Sequence, residues 1–338
     1  MTGPWSVVRG PLLGGAIDED NDNKQRTTAS EASVQLTTDM QQPAATRFIQ
    51  PEVLSRISNL ELVARAVVEG FIAGLHRSPY KGFSVDFMEY RPYIPGDDPL
   101  RIDWKLFARS DRYFVKEFED ETNTRLNLLV DVSHSMGYSS TELTKLDYSF
   151  YLAASLAYLM IRQRDGVGLT LFDDKVVERI PPRSAKGHLH TMLTHLEQAE
   201  LGAETSLGKP LHELAEQQRK RGFMVLISDL LADPDELVDG LKHFRFNGHE
   251  VLVFHILDPQ EVHFDFKDVV EFEDLETGEK MLIEAETARE QYLENFERFR
   301  ARLRKECGLL GVDYTLVTTD QPLDFALFNY LAARKRKA

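Results

Sequence analysis

Patterns typical of buried strands and amphipathic helices alternate along the chain from Arg125 onward. Short apolar runs predict strands at 126–130, 166–172, 175–180, 223–228, 250–257 and 313–318. Longer segments with helical spacing lie at 146–162, 186–198, 206–221, 234–244, 287–307 and 322–333. Residues 262–284 have the pattern of an inserted hairpin. This alternation predicts a doubly wound α/β fold whose mainly parallel sheet is covered by helices on both faces.

The first 122 residues follow a different pattern. Residues 1–46 are polar and Gly-rich without sustained periodicity, so they can bury too little apolar surface to offset the entropy of ordering. A helical pattern at 51–71 is followed by strand-like alternation and a Pro-rich loop. We predict a disordered tail at 1–46, a smaller N-terminal region of helix and strands at 47–122, and an α/β domain at 123–338.

Composition narrows the range of partners. The formal net charge of −15 argues against nucleic acid or an anionic membrane as the main partner. The single cysteine, Cys307, rules out an internal disulfide and fits a reducing compartment. No apolar run approaches the length of about 20 residues that a helix needs to cross a bilayer. The N-terminus also lacks a signal-peptide pattern. We therefore expect a cytoplasmic protein with no membrane span and no nucleic-acid partner.

Oxygen-bearing side chains follow two of the predicted strands at the point where each strand ends. Asp131, Ser133 and Ser135 occupy alternate positions directly after the strand at 126–130. Asp229 follows the strand at 223–228, and Thr205 comes just before the helix at 206–221. The carboxyl ends of parallel strands share the edge at which open α/β sheets bind their ligands. Carboxylates and hydroxyls suit Mg²⁺ or Mn²⁺ better than zinc or copper. The alternative is that these residues only cap helices and close turns.

Two blocks of residues carry a resemblance to known families. The pattern Asp131-x-Ser133-x-Ser135, with Thr205 and Asp229, resembles the metal-ion-dependent adhesion site of von Willebrand factor type A domains. The preceding segment is similar to the bacterial family catalogued as domain of unknown function 58, and the similarity covers about residues 50–330. Its matching blocks are Tyr90 to Pro99 (YRPYIPGDDP), Arg101 to Lys105 (RIDWK) and Ala108-Arg109.

The resemblance implies a Rossmann-like type A domain that binds Mg²⁺ or Mn²⁺. In such domains the hydroxyls ligate the cation, which would make Ser133, Ser135 and Thr205 direct ligands. Asp131 and Asp229 would orient bound waters or bind directly. One departure is Leu230, which follows Asp229 where many type A domains have glycine.

The same resemblance implies a protein partner. Members of the family are commonly associated with MoxR-type AAA+ ATPases, so the expected role is a non-enzymatic adaptor in the assembly or maturation of protein complexes. The metal would then capture an acidic residue of the partner. The Pro-rich loop supplies candidate docking residues, since Trp and Arg are enriched in interface hot spots, although a solvated surface loop is the alternative. These candidates are Asp97, Arg101, Asp103, Trp104 and Arg109.

Two other functions stay open. A metal-dependent hydrolase, such as a phosphoesterase, would use the ion to activate water. However, the sequence offers no clear general base near Asp131, and it has neither a Gly-x-x-x-x-Gly-Lys-Ser/Thr loop nor a Gly-x-Ser-x-Gly elbow. A structural module with a degenerate metal site is the third alternative, which Leu230 favours. The basic run Arg334 to Lys337 is typical of a solvated chain end.

Overall fold

A computed structural model describes residues 50–57, 59–77, 90–92, 113–116, 125–185, 187–202, 207–218, 220–266, 269–273 and 280–337. The strands of these residues, in chain order, are β1 (Tyr90–Pro92), β2 (Phe114–Lys116), β3 (Arg125–Asp131), β4 (Gly166–Phe172), β5 (Val176–Arg183), β6 (Phe223–Ser228), β7 (Glu250–Leu257), β8 (Val269–Glu273), β9 (Lys280–Glu284) and β10 (Asp313–Thr318). The α-helices are α1 (Pro51–Leu54), α2 (Leu60–Arg77), α3 (Lys145–Arg162), α4 (His188–Gln198), α5 (Gly208–Gln217), α6 (Pro234–Phe246), α7 (Pro259–His263), α8 (Ala285–Leu310) and α9 (Leu323–Lys337).

The main sheet of the described residues has six strands in the order β10-β7-β6-β3-β4-β5. All neighbouring pairs are parallel except β4 and β5, which form an antiparallel edge hairpin. The chain extends the sheet from β3 toward β4 and β5, and then returns to place β6 on the other side of β3. This reversal of strand order makes the carboxyl end of β3 a topological switch point, where α/β sheets bind ligands.

Helices cover both faces of this sheet, as the alternation of patterns predicts. On one face, Leu128 of β3 and Val225 of β6 belong to a core that includes side chains of α2, α3, α4 and α9. On the other face, Leu129 and Leu226 belong to a second core with side chains of α5, α6 and α8. Successive strand residues point to opposite faces, so a strand buried on both sides must be apolar at nearly every position. The predicted doubly wound α/β fold class is confirmed.

The N-terminal helical pattern is divided into two helices, although the sequence predicts one continuous helix at 51–71. Asn59 interrupts the pattern because its side-chain Oδ1 accepts the backbone N–H of Leu62 at 2.9 Å, which gives α2 an N-terminal cap of its own. Helix α2 then packs against α3 and α9 and contributes to the core on that face of the sheet. The boundary that we predict at residue 122 stays a prediction.

Helix α9 is held to the turn that follows α3 by a largely buried ion pair. Arg334 donates to Asp165 Oδ2 at 2.8 Å and to Gln163 Oε1 at 2.8 Å. The side chain of Arg334 is 20% exposed and that of Asp165 is 1% exposed. The expectation of a solvated chain end is therefore wrong for Arg334. No helix in the described ranges is long and apolar enough to cross a membrane.

Candidate functional site

Asp131 lies at the carboxyl end of β3 with its side chain completely buried. Its Oδ1 accepts the backbone N–H of Ser133 at 2.9 Å, and its Oδ2 accepts the hydroxyl of Ser228 at 2.5 Å. Ser228 is the last residue of β6, the parallel neighbour of β3. The first hydrogen bond fixes the turn after β3, and the second joins the ends of the two strands.

The two serines of the motif meet beside this carboxylate. Ser133 precedes a short 3₁₀-helix (His134–Gly137) and Ser135 lies within it, so alternate residues turn back to the same side. Their hydroxyl oxygens are 3.2 Å apart and both side chains are buried, whereas His134 between them is exposed. Adjacent ligands of an octahedral Mg²⁺ with bonds of about 2.05 Å are about 2.9 Å apart, so the two oxygens have nearly the spacing of such ligands.

Asp229 follows directly after β6 and is also completely buried. Its Oδ1 accepts the backbone N–H of Leu231 at 3.2 Å. The next residue, Leu230, has a positive φ of 54° and donates its N–H to Ser228 Oγ at 2.9 Å. Leu230 thus holds a backbone conformation that favours glycine.

A buried lysine completes the cluster, and the sequence analysis did not select it. Lys145, the first residue of α3, places its ammonium 2.8 Å from Asp229 Oδ2 and 2.7 Å from Glu261 Oε1 of α7. The side chains of Lys145 and Asp229 are fully buried, and that of Glu261 is 4% exposed. Two carboxylates from separate segments therefore share one ammonium group.

Helix α7 positions Glu261 through its own capping interactions. Glu261 Oε2 accepts the backbone N–H of Asp258 at 2.7 Å, and Asp258 Oδ1 accepts the N–H of Gln260 at 2.8 Å. Asp258 also accepts the backbone N–H of Ser140 at 2.7 Å. The sequence Asp258-Pro259-Gln260-Glu261 carries the signature of a capping box, which predicts the helix start but not its contact with Lys145.

Burial makes Asp131 and Glu261 hard to ionise. Burial, and then the charge of Asp229, raise the pKa of Asp131 from its ordinary value of 3.8 to about 7. Burial raises the pKa of Glu261 as well, although Lys145 opposes that shift. Burial disfavours the charged form of Lys145, but Asp229 and Glu261 outweigh it and raise its pKa. With Asp131, Asp229 and Glu261 all ionised, the cluster would carry two more negative charges than Lys145 offsets, so a bound divalent cation would favour that ionised state.

The side chains that could bind a hard divalent ion here are one carboxylate and two hydroxyl groups. Asp131, Ser133 and Ser135 present carboxylate and hydroxyl oxygens, while Asp229 is engaged by Lys145. No group of three or more His, Cys, Asp or Glu side chains within the described ranges has the arrangement of a metal site, so a cation here would depend on the serine hydroxyls. Thr205 lies outside the described residues.

The predicted docking residues also lie outside the part of the chain that the structure describes. These are Asp97, Arg101, Asp103, Trp104 and Arg109.

Four of the five predicted metal ligands are described, and they lie at the adjoining ends of β3 and β6, which agrees with a shared sheet edge. The structure adds Ser228, Lys145 and Glu261 to this edge.

One family model matches the chain, and neither its description nor the titles of the curated relatives give an activity. The family model described as "Protein of unknown function DUF58" matches residues 89–304, a region that includes Asp131, Lys145, Asp229 and Glu261. "Uncharacterized protein Rv1480" of Mycobacterium tuberculosis is 28% identical over 293 residues, which are 85% of this chain and 92% of that protein. "Uncharacterized protein YeaD" of Bacillus subtilis is 29% identical over 135 residues, 38% of this chain and 32% of that protein.

Two solved structures are similar to about two thirds of the chain. An aerotolerance-related membrane protein from Bacteroides fragilis, carrying multiple mutations to serines, has a TM-score of 0.44 and 18% identity. The conserved hypothetical protein BatB from Bacteroides thetaiotaomicron has a TM-score of 0.42 and 13% identity. Each match covers 63% of this chain and 99% of the other chain.

Proposed function

The chain belongs to the DUF58 family of proteins of unknown function, and from that premise we propose that it is a metal-dependent protein-interaction module without a catalytic step of its own. In this proposal the domain is of the von Willebrand factor type A kind, with a metal-ion-dependent adhesion site at the edge formed by β3 and β6. The observation that carries the proposal is the convergence of the Asp131 carboxylate and the hydroxyls of Ser133 and Ser135 in one buried cluster.

The chemistry of the donor set supports an acidic partner. Two neutral hydroxyls and one carboxylate leave a divalent cation short of anionic ligands, and Mg²⁺ keeps several waters in such sites. A carboxylate oxygen of the partner would replace one of these waters, giving a contact that depends on both charge and geometry. Ser133 and Ser135 would be direct ligands, Thr205 a further one, and Asp131 and Asp229 would hold waters or bind directly.

We propose a MoxR-type AAA+ ATPase as the partner, with the chain acting in the cytoplasm as an adaptor in the assembly or maturation of protein complexes. This step rests on the family resemblance stated for the sequence. Residues 97–109 would add a second contact surface for the partner. The ATPase would supply the work of remodelling, and this chain would select the partner or client.

The test is capture of a purified MoxR-type ATPase from the same organism by the immobilised chain, in Mg²⁺ and in chelator. We expect retention only with Mg²⁺, and its loss in Asp131→Ala and Ser133→Ala. Asp239→Ala is the matched control, because Asp239 is an exposed aspartate that pairs with Lys242 within α6 and should not affect capture. Asp131→Asn serves as a second variant that preserves the shape of the buried side chain.

The outcomes separate the parts of the proposal. Equal capture by all variants in chelator would rule out metal-dependent recognition. Absence of capture under every condition, together with Mg²⁺ binding by the wild-type chain, would rule out the ATPase and leave the metal-dependent module. Circular dichroism of each variant shows whether the fold survives the substitution.

A further inference from the structure

We propose that Lys145 is a built-in counter-cation that occupies Asp229 and thereby confines a divalent ion to Asp131 and the two serine hydroxyls, which weakens its binding. The inference rests on the proposed function, because it assigns a role to Lys145 toward the same metal site. It concerns a residue outside the predicted ligand set and implies that the metal-free state has its own charge compensation.

The geometry places Lys145 where it neutralises one end of the site only. Its ammonium contacts Asp229 Oδ2 at 2.8 Å and Glu261 Oε1 at 2.7 Å, with all three side chains buried. Asp131, by contrast, is held by neutral donors, the N–H of Ser133 and the hydroxyl of Ser228. The two aspartates of the predicted site thus have different partners: one has a fixed cation and the other has only hydrogen bonds.

A count of charges explains why the lysine does not replace the divalent ion. When ionised, Asp131, Asp229 and Glu261 carry three negative charges, and Lys145 offsets one of them. The remaining two negative charges match one divalent cation. Because Lys145 is held by two carboxylates from separate segments, a divalent ion can bind Asp229 Oδ2 only in competition with an ammonium group that is already in place.

Two effects of Lys145 therefore oppose the divalent ion. The ammonium repels it in an interior where charges are poorly screened, and it removes Asp229 Oδ2 from the available ligands. We expect removal of Lys145 to tighten binding of the ion at least about tenfold, since a released carboxylate is a strong additional oxygen ligand. A lysine that merely supported the fold would not change affinity in this direction.

The experiment measures Mn²⁺ binding by electron paramagnetic resonance of the free ion, with purified full-length chains. The key variant is the double substitution Lys145→Met/Glu261→Gln, which removes one positive and one negative charge. In the double variant, ionised Asp131 and Asp229 carry a net charge of −2. This equals the net charge of the ionised wild-type cluster. Replacing both members of a buried pair is tolerated better than removing one, so this variant is expected to fold. Lys145→Met alone is the second variant.

The matched control is Lys242→Met, since exposed Lys242 pairs with Asp239 at 2.9 Å on the surface of α6. The expected result is at least about tenfold tighter Mn²⁺ binding by the double variant and no change in the control. Equal or weaker binding by a folded double variant would overturn the inference while leaving the proposed function standing. Binding by the variant but not by the wild type would support the inference and refute the proposed function. Absence of binding in every chain would overturn both.

Discussion

Leu230 combines a backbone conformation that favours glycine with a side chain that belongs to the core. Its φ is 54°, and its side chain is 1% exposed among residues of the core that covers the α5–α6 face of the sheet. Truncation to alanine removes the side chain and keeps a Cβ in the left-handed region. Truncation to glycine removes both. The two substitutions therefore separate packing from backbone strain.

The expected magnitudes follow from these two contributions. Loss of a buried leucine side chain costs about 2–5 kcal/mol, so both variants are expected to be less stable than the wild type. A residue with a Cβ in the left-handed region carries about 1–2 kcal/mol of strain, which glycine avoids. Glycine loses about 0.5–1 kcal/mol relative to alanine through its greater freedom in the unfolded chain. Leu230→Gly should thus be up to about 1 kcal/mol more stable than Leu230→Ala, the reverse of the usual order.

Denaturant unfolding followed by circular dichroism, in metal-free buffer, measures the difference. The matched control is the pair Leu226→Ala and Leu226→Gly, because Leu226 is buried in the same core but lies in β6 and has no positive φ. At Leu226 the glycine variant should be the less stable one. If Leu230→Gly is also less stable than Leu230→Ala, the strain argument is refuted.

Two further predictions concern the opposite end of α3 and the start of α9. Burial raises the pKa of Asp324 from 3.8 to about 6, so the folded chain holds this proton more tightly than the unfolded chain and loses stability as pH rises from about 4 to about 6. Asp324→Asn should flatten this dependence and raise the free energy of unfolding at about pH 8 by up to about 3 kcal/mol, measured by denaturant titration across pH. Arg334→Met should cost about 2–4 kcal/mol, because Asp165 then keeps a buried carboxylate without the guanidinium. In the same unfolding assay, the control Arg298→Met should lose under about 1 kcal/mol of unfolding free energy, because water screens its exposed pair with Glu294. Equal losses for the two arginine variants would contradict the reasoning.

The central part of the fold follows directly from hydrophobic patterning. The runs that end at Asp131 and Asp229 are apolar at nearly every position, which is the pattern of strands buried on both faces. Parallel strands with helical crossovers then bring their carboxyl ends to one edge. The meeting of Asp131 with the end of β6 was therefore predictable without knowledge of any contact.

The ionic partners were not predictable because nothing local specifies them. Lys145 lies 84 residues from Asp229 and 116 residues from Glu261 along the chain. In sequence it is an ordinary charged residue at a helix start, and such residues are almost always exposed. Arg334 belongs to a basic run that is typical of a solvated chain end. Lys145 is fully buried and Arg334 largely so because of tertiary packing, which periodicity does not encode.

Several departures from ordinary folding physics meet at the adjoining ends of β3 and β6. Asp131, whose pKa burial raises to about 7, ends β3. Leu230, with its positive φ, follows Asp229 at the end of β6, and the fully buried Lys145 contacts Asp229. Each of these features costs stability in the metal-free chain, and the strands that precede them are regular. Local conflicts of this kind are expected at functional sites, where another requirement outweighs stability. Strain and buried charge therefore support a binding site at this edge by an argument independent of sequence resemblance.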